Sequence, residues 1–177
     1  MESISKHISY NEAVRSSTAK RYGIDNKPSD FQLENMKMVA AYCFEPLREH
    51  HGKPLFVSSF LRSKALNEHP AIGGSKTSQH LQGLYSEIKE GAIDIDADVY
   101  ENGMDNSDIF HWLKDNVVFD QLIYEYPNKQ GENSWTHVSY RKGANRNMML
   151  IAYKTKDGRT KYDVYSKENL DKIVNSL

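Results

Sequence analysis

Cysteine occurs once in the 177 residues, at Cys43. No disulfide can therefore form within the chain, and the fold has to hold by packing. A chain of this length can bury a sufficient core as one domain without covalent staples. A single thiol is compatible with a reducing compartment but does not require one. Neither sign of charge is in excess, with 23 Lys plus Arg against 24 Asp plus Glu. The sequence also has no basic block, so nucleic acid is not expected as a partner. No apolar run is long enough to span a bilayer, and no stable membrane association is expected. The opening MESISKHISY lacks the charged start and apolar centre of a secretory signal. Synthesis and folding in the cytoplasm are expected, with delivery by another protein if the target lies outside. Internal repeats and low-complexity tracts are absent as well.

What remains is an ordinary globular pattern of helices followed by strands. Ser9 and Glu12 read as a capping box that opens a short first helix. Residues 23–30, GIDNKPSD, are loop-forming. Ser29 and Gln32 form a second capping box at the head of a long amphipathic helix. Its apolar stripe is Leu33, Met36, Val39, Ala40, Cys43 and Leu47. Pro46 is expected to kink or split that helix, and Gly52 to end it. Strands are predicted in PLFVSSF (54–60), GAIDIDAD, FDQLIYEY, SWTHVSY and NMMLIAY. The PNKQGEN loop suggests a hairpin between the third and fourth of these. A helix in NSDIFHWLKDN, capped by Asn106 or Ser107, should turn Ile109, Phe110 and Leu113 inward. The order predicts an α+β fold with a mainly antiparallel sheet. One domain covers residues 1–177: a helix and loop in 1–28, a core in 29–153, and a closing strand and helix in 154–177.

The chemistry-bearing stretch is SKTSQHLQGLYSEIKEGAIDIDAD, residues 75–98. Alternation places Asp94, Asp96 and Asp98 on one face of a strand, where they are either ordinary wet-face residues or a means of aiming a carboxylate at an ion. His80, Asp94 and His137 are candidate ligands on or beside strands. A hydrolytic Zn²⁺ site uses three such ligands and leaves one position for water, whose pKa falls to about 7. The short helical motif His-Glu-x-x-His is missing. Taken singly, each histidine reads more readily as a surface or hydrogen-bonded core residue than as a ligand.

Four motifs in order add weight: Arg after a strand in SSFLRS, Ser-x-His-x-x-Gly in SQHLQG, Ala-x-Asp in GAIDID, and Trp-x-His-Val in SWTHVSY. Together they resemble the zinc D-alanyl-D-alanine carboxypeptidases and their phage relatives, the L-alanyl-D-glutamate peptidases. The similarity runs from about Ser29 to Tyr140, and the opening ISKHISYNEAV is similar to the phage and prophage branch. The resemblance implies a hedgehog/DD-peptidase-like fold with N-terminal helices packed on one side of the sheet. It implies one Zn²⁺ held by His80, Asp94 and His137. Arg62 matches the family arginine that faces a substrate carboxylate or polarises the scissile carbonyl. Ser78 is assigned to substrate binding, with bracing of its own loop as the alternative. The implied partners are peptidoglycan stem peptides. The implied state is a monomer that reaches the wall after release by another protein, or in a virion.

Two departures from that family matter. Residues 84–90, LYSEIKE, lengthen the link between His80 and Asp94 and are expected at the rim of the cleft. In addition, Ser134 stands three residues before His137, where many relatives carry Asp or Glu, and a hydroxyl cannot hold a proton at neutral pH as a carboxylate can. Glu125 is the replacement general base expected here, with Glu132 second. Asp96 is a candidate for orienting a ligand histidine. Two other readings stay open: a zinc-holding binding module without catalysis, and an intracellular peptidase trimming recycled wall fragments.

Overall fold

The computed structural model describes residues 3–101 and 103–177; Met1, Glu2 and Asn102 lie outside it. Two short helices come first. In α1 (Tyr10–Ala13) the Ser9 side chain accepts from Glu12 N, and in α2 (Ser17–Tyr22) Ser16 does the same for Ala19 N. The sequence reading expected only the first of the two. The long helix follows in two parts, α3 (Asp30–Val39) and α4 (Glu45–His51), joined by a π-helical turn at Ala40–Phe44. Pro46 explains the joint: it has no N–H to donate, and Glu45 N reaches back five residues to Ala40 O. Both halves of the Ser29–Gln32 capping box are present, and Gly52 ends α4 in the left-handed region. Met36, Val39, Ala40, Cys43 and Leu47 are fully buried.

Six strands form a single sheet: β1 (Phe56–Ser59), β2 (Glu90–Asp96), β3 (Gln121–Glu125), β4 (Trp135–Arg141), β5 (Met148–Lys154) and β6 (Thr160–Val164), in the order β1-β2-β4-β3-β5-β6. The expected hairpin joins β3 to β4. The sheet is mixed, however, because β5 runs parallel to β3. After β4 the chain returns to the start of β3 and passes to its far side, where Asn147 N donates to Phe119 O and Met148 N to Asp120 O. The remaining helices are α5 (Lys64–Glu68), α6 (Asn106–Asn116) and α7 (Lys167–Val174). The cap of α6 is Asp105, in a reciprocal box with Asp108, rather than Asn106 or Ser107. Asn106 lies inside the first turn and is buried. Its amide grips Asp96, Asp98 and Ser134 O, and its carbonyl takes Ala97 N.

The two faces of the sheet differ in kind. Val57, Ile93, Ile95, Val138, Leu122, Tyr124 and Ile151 belong to one buried apolar cluster with α3, α4 and α6. Residues between them point the opposite way. Register aligns Asp94 with His137 and His137 with Ile123, with Glu125 opposite Trp135. The polar positions of four strands therefore converge on the face that the core helices leave uncovered.

Candidate active site

His80 sits in a 3₁₀ turn (Gln79–Leu81) that closes the loop after α5. Its Nδ1 is 2.9 Å from Phe60 O, and its Nε2 is 3.1 Å from Asp94 Oδ1. His137 Nδ1 lies 2.9 Å from the same oxygen. One ligand atom from each of the three residues falls within 4.8 Å of the others, and all three residues are buried.

The hydrogen bonds show which forms the ligands take. A carbonyl oxygen only accepts, so His80 Nδ1 carries the proton in its contact with Phe60 O. Gln82 Nε2 donates to that carbonyl as well and to Ala92 O, which fixes the acceptor in place. Burial holds the His80 pKa below its ordinary value, although the Asp94 charge opposes this. A neutral His80 then turns an Nε2 lone pair toward a carboxylate oxygen 3.1 Å away. At that distance the two atoms are placed to share a positive centre, and the donor set fits a divalent cation. Burial acts to raise the pKa of Asp94, but the two imidazoles set against its Oδ1 outweigh it. The carboxyl is held well below the usual carboxylate range.

Arg62 stands next to this group, with its NH2 3.6 Å from Asp94 Oδ2 and its backbone N–H bonded to His80 O. Glu125 lies one same-face position from Ile123, roughly 7 Å along the strand. It is only 8% exposed, and no described side chain hydrogen-bonds its carboxyl. Burial and the nearby Asp94 charge push its pKa up to about 7. All of these residues open into a cleft of about 1120 Å³, with Ser78 and the loop from Ala71 to Thr77 on one wall and Lys154, Thr160 and Tyr162 on the other. The loop wall is set by Asn67, which donates to Ser75 O and packs so closely on Gly74 that a Cβ there would overlap its amide.

Several expectations fail on position. Glu132 is exposed and bonds Asn128, so it is not in the cleft. Ser134 donates to Tyr126 O at the surface. Asp96 does not orient a histidine, because its carboxylate is engaged by Asn106 and Asp98 N. Residues 84–90 are not at the rim. Gln82 and Gly83 are both left-handed, at φ 51° and 73°, and turn the chain away from the site. The insert then meets the far end of β2, where Glu90 pairs with Arg141 and Lys142 N donates to Lys89 O. Trp135 lines the cleft against Tyr126 with ring centroids 5.2 Å apart.

Sequence reasoning missed the support beneath His80. Asp120 is fully buried and bonds Arg146 Nε at 2.8 Å, Arg146 NH2 at 2.6 Å and Gln79 Nε2 at 2.9 Å. Burial alone would raise its pKa, but the bonds from Arg146 and Gln79 hold it low. Two glutamines flanking His80 at 79 and 82 are the only local signal of this support.

Two imidazoles and a carboxylate meeting beside an unneutralised acid, in a cleft on an α+β sheet, form the kind of centre used by mononuclear metallohydrolases. A family model described as Peptidase M15 matches residues 6–139, about three quarters of the chain, and the chain belongs to that peptidase family. No curated protein matches the chain, and no solved structure does.

Proposed function

We propose that this chain is a zinc-dependent peptidase that hydrolyses peptide bonds in bacterial peptidoglycan stem peptides. It acts as a D-Ala-D-Ala carboxypeptidase-like or L-Ala-D-Glu endopeptidase-like enzyme. The observation that carries this reading is the convergence of His80, Asp94 and His137 with Glu125 and Arg62 in one cleft of an M15-family chain. The reading extends to a hedgehog/DD-peptidase-like fold, one peptidase domain across the chain, a monomer, and membership of the phage or prophage branch. Action is at the cell wall, after release by another protein or from a virion.

His80 Nε2, an Asp94 oxygen and His137 Nδ1 would hold a single Zn²⁺. When bound, it supplies Lewis acidity toward a carbonyl oxygen and a lowered pKa for water. Glu125 takes the proton of the attacking water and delivers it to the leaving amine, transfers that its buried carboxyl, free of side-chain hydrogen bonds, is placed to make. Arg62 donates to the oxygen that gains charge, or grips a substrate carboxylate. Ser78 contacts the peptide from the loop wall. Phe60 O and Gln82 hold His80 in its working tautomer and orientation.

The test is digestion of defined wall peptides with zinc, with chelator, and with zinc restored, read by mass spectrometry. We expect cleavage at one bond, its loss under chelation and its return with the metal. One equivalent of bound zinc without cleavage of any stem chemistry would instead identify a zinc-holding binding module.

A further inference from the structure

A second, smaller groove of about 270 Å³ opens from the same place as the cleft and shares Arg62, Ile72, Asp94 and Trp135 with it. Its other walls come from the start of α2 and from the edge strand β1, including Arg15, Ser17, Thr18 and Ser59. We propose that this groove is a carboxylate-binding subsite in which Arg15 determines specificity, so that the preferred substrate carries a free carboxylate close to the bond that is cut. The proposal deepens the peptidase reading and rests on it.

Arg15 is exposed and anchored at two points. Its NH2 donates to Val57 O at 3.0 Å, and its guanidinium carbon lies 4.4 Å from the centroid of the Phe56 ring. A carbonyl takes one of five N–H donors, and an aromatic face takes none. No carboxylate among the described residues pairs with Arg15. The other guanidinium on the groove differs, since Arg62 already lies 3.6 Å from Asp94 Oδ2. Asp94 is the only lining residue with a negative charge, and Arg62 and both imidazoles engage it.

An anchored guanidinium with free in-plane donors matches a carboxylate in two-pronged fashion, and its contacts with Val57 O and the Phe56 ring reduce the cost of ordering it. The hydroxyls of Ser17, Thr18 and Ser59 make no hydrogen bond to other described residues and can meet the remaining lone pairs. The groove is below the usual range for sites that hold drug-sized ligands, which suits one amino-acid residue. The chemistry fits a carboxylate at the chain end or one on a branch of the peptide, and the substrates below separate the two.

The zinc-loaded full chain, as wild type, Arg15→Gln and Arg15→Lys, is assayed on three matched stem peptides: the free acid, the C-terminal amide and the branch-carboxylate amide. Wild type should prefer the free acid over one of the amides by roughly 10- to 100-fold in kcat/KM, and whichever amide is disfavoured identifies the carboxylate. Arg15→Gln should lose that preference, mainly through KM. Arg15→Lys should fall between. Zinc content and the melting curve report that each variant is folded. An unchanged acid-to-amide ratio in folded Arg15→Gln overturns the subsite alone. A zinc-loaded wild type that cleaves none of the three peptides overturns the peptidase reading itself.

Discussion

Replacing Glu125 with Gln should abolish hydrolysis and at the same time stabilise the metal-free protein at pH 8. In the unfolded chain this carboxyl releases its proton near 4.5, whereas burial and the Asp94 charge delay the release in the fold to about 7. Between those values the native state holds a proton that the unfolded state has lost, so stability falls as pH rises through the window. At about 1.4 kcal/mol per pH unit the loss is about 3 kcal/mol, complete by pH 8. Gln has the same shape and no charge, so the variant escapes the loss. Urea unfolding in EDTA at pH 4, 6 and 8 should show no difference at pH 4 and an advantage of about 3 kcal/mol for Glu125→Gln at pH 8. In melting temperature that is roughly 6–12 °C for a chain of this size. Adding Zn²⁺ places positive charge near the carboxyl, lowers its pKa and narrows the gap. Turnover with zinc should fall roughly 10²- to 10⁴-fold. A variant no more stable than wild type at pH 8, or an offset equal at pH 4 and pH 8, would refute the claim that this buried acid is poised near neutrality.

Four further outcomes are expected. Wild type should bind one equivalent of zinc by elemental analysis, and Ala at His80, Asp94 or His137 should reduce that to near zero; retention in any of the three would remove that residue from the ligand set. Asp120→Ala should cost about 2–4 kcal/mol in urea unfolding, below the 3–5 of a fully buried pair because the Arg146 side chain is 44% exposed and can return to water. The Asp120 contribution is present at neutral pH and lost as acid protonates the carboxyl through its lowered pKa, so wild type and Asp120→Ala should converge in acid. Gly91→Ala should cost about 1–3 kcal/mol and weaken zinc binding, because its Cβ would overlap the Gln82 amide that steadies Phe60 O. Replacing residues 84–89 with a short link should leave zinc content and peptide preference unchanged; altered preference would show that the insert reaches the cleft after all.

Much of this arrangement was readable in the chain because it is local. Capping at Ser29 and the stop at Gly52 follow from side chains within a few residues, as does the inward stripe of Ile109, Phe110 and Leu113. Alternation in GAIDIDAD placed Asp94 on a polar face, and the structure sets it opposite His137. The failures came where distant partners decide. Nothing near Met148 announces that β5 will run parallel to β3. Asp105, Asn106 and Ser107 are all able to cap α6, and Asn106 is withdrawn by Asp96, Asp98 and Ser134 O. The insert follows His80 closely in sequence, yet two successive left-handed residues carry it away. Asp120 gave no signal beforehand, since its role depends on Gln79 and Arg146, 41 and 26 residues away along the chain.

The edge strand shows how one local irregularity assembles the metal ligands. Along β1 the register runs Phe56 to Asp96 and Val57 to Ile95, then slips so that Ser59 meets Asp94. Such a bulge leaves an extra residue on one strand and bends it. Pairing ends at Asp94 itself, and the chain leaves the sheet through Phe60, Leu61 and Arg62. That exit delivers Phe60 O to His80 Nδ1 and places the Arg62 backbone N–H on His80 O. It also leaves the Arg62 guanidinium beside Asp94. A regular β1 would continue pairing past Asp94, with no carbonyl left free to set the tautomer of His80. The bulge also explains why only one of the three alternating aspartates reaches the cleft. Asp96 and Asp98 lie toward the end of β2 that Asn106 anchors to α6, while Asp94 lies where β1 turns away and the face opens.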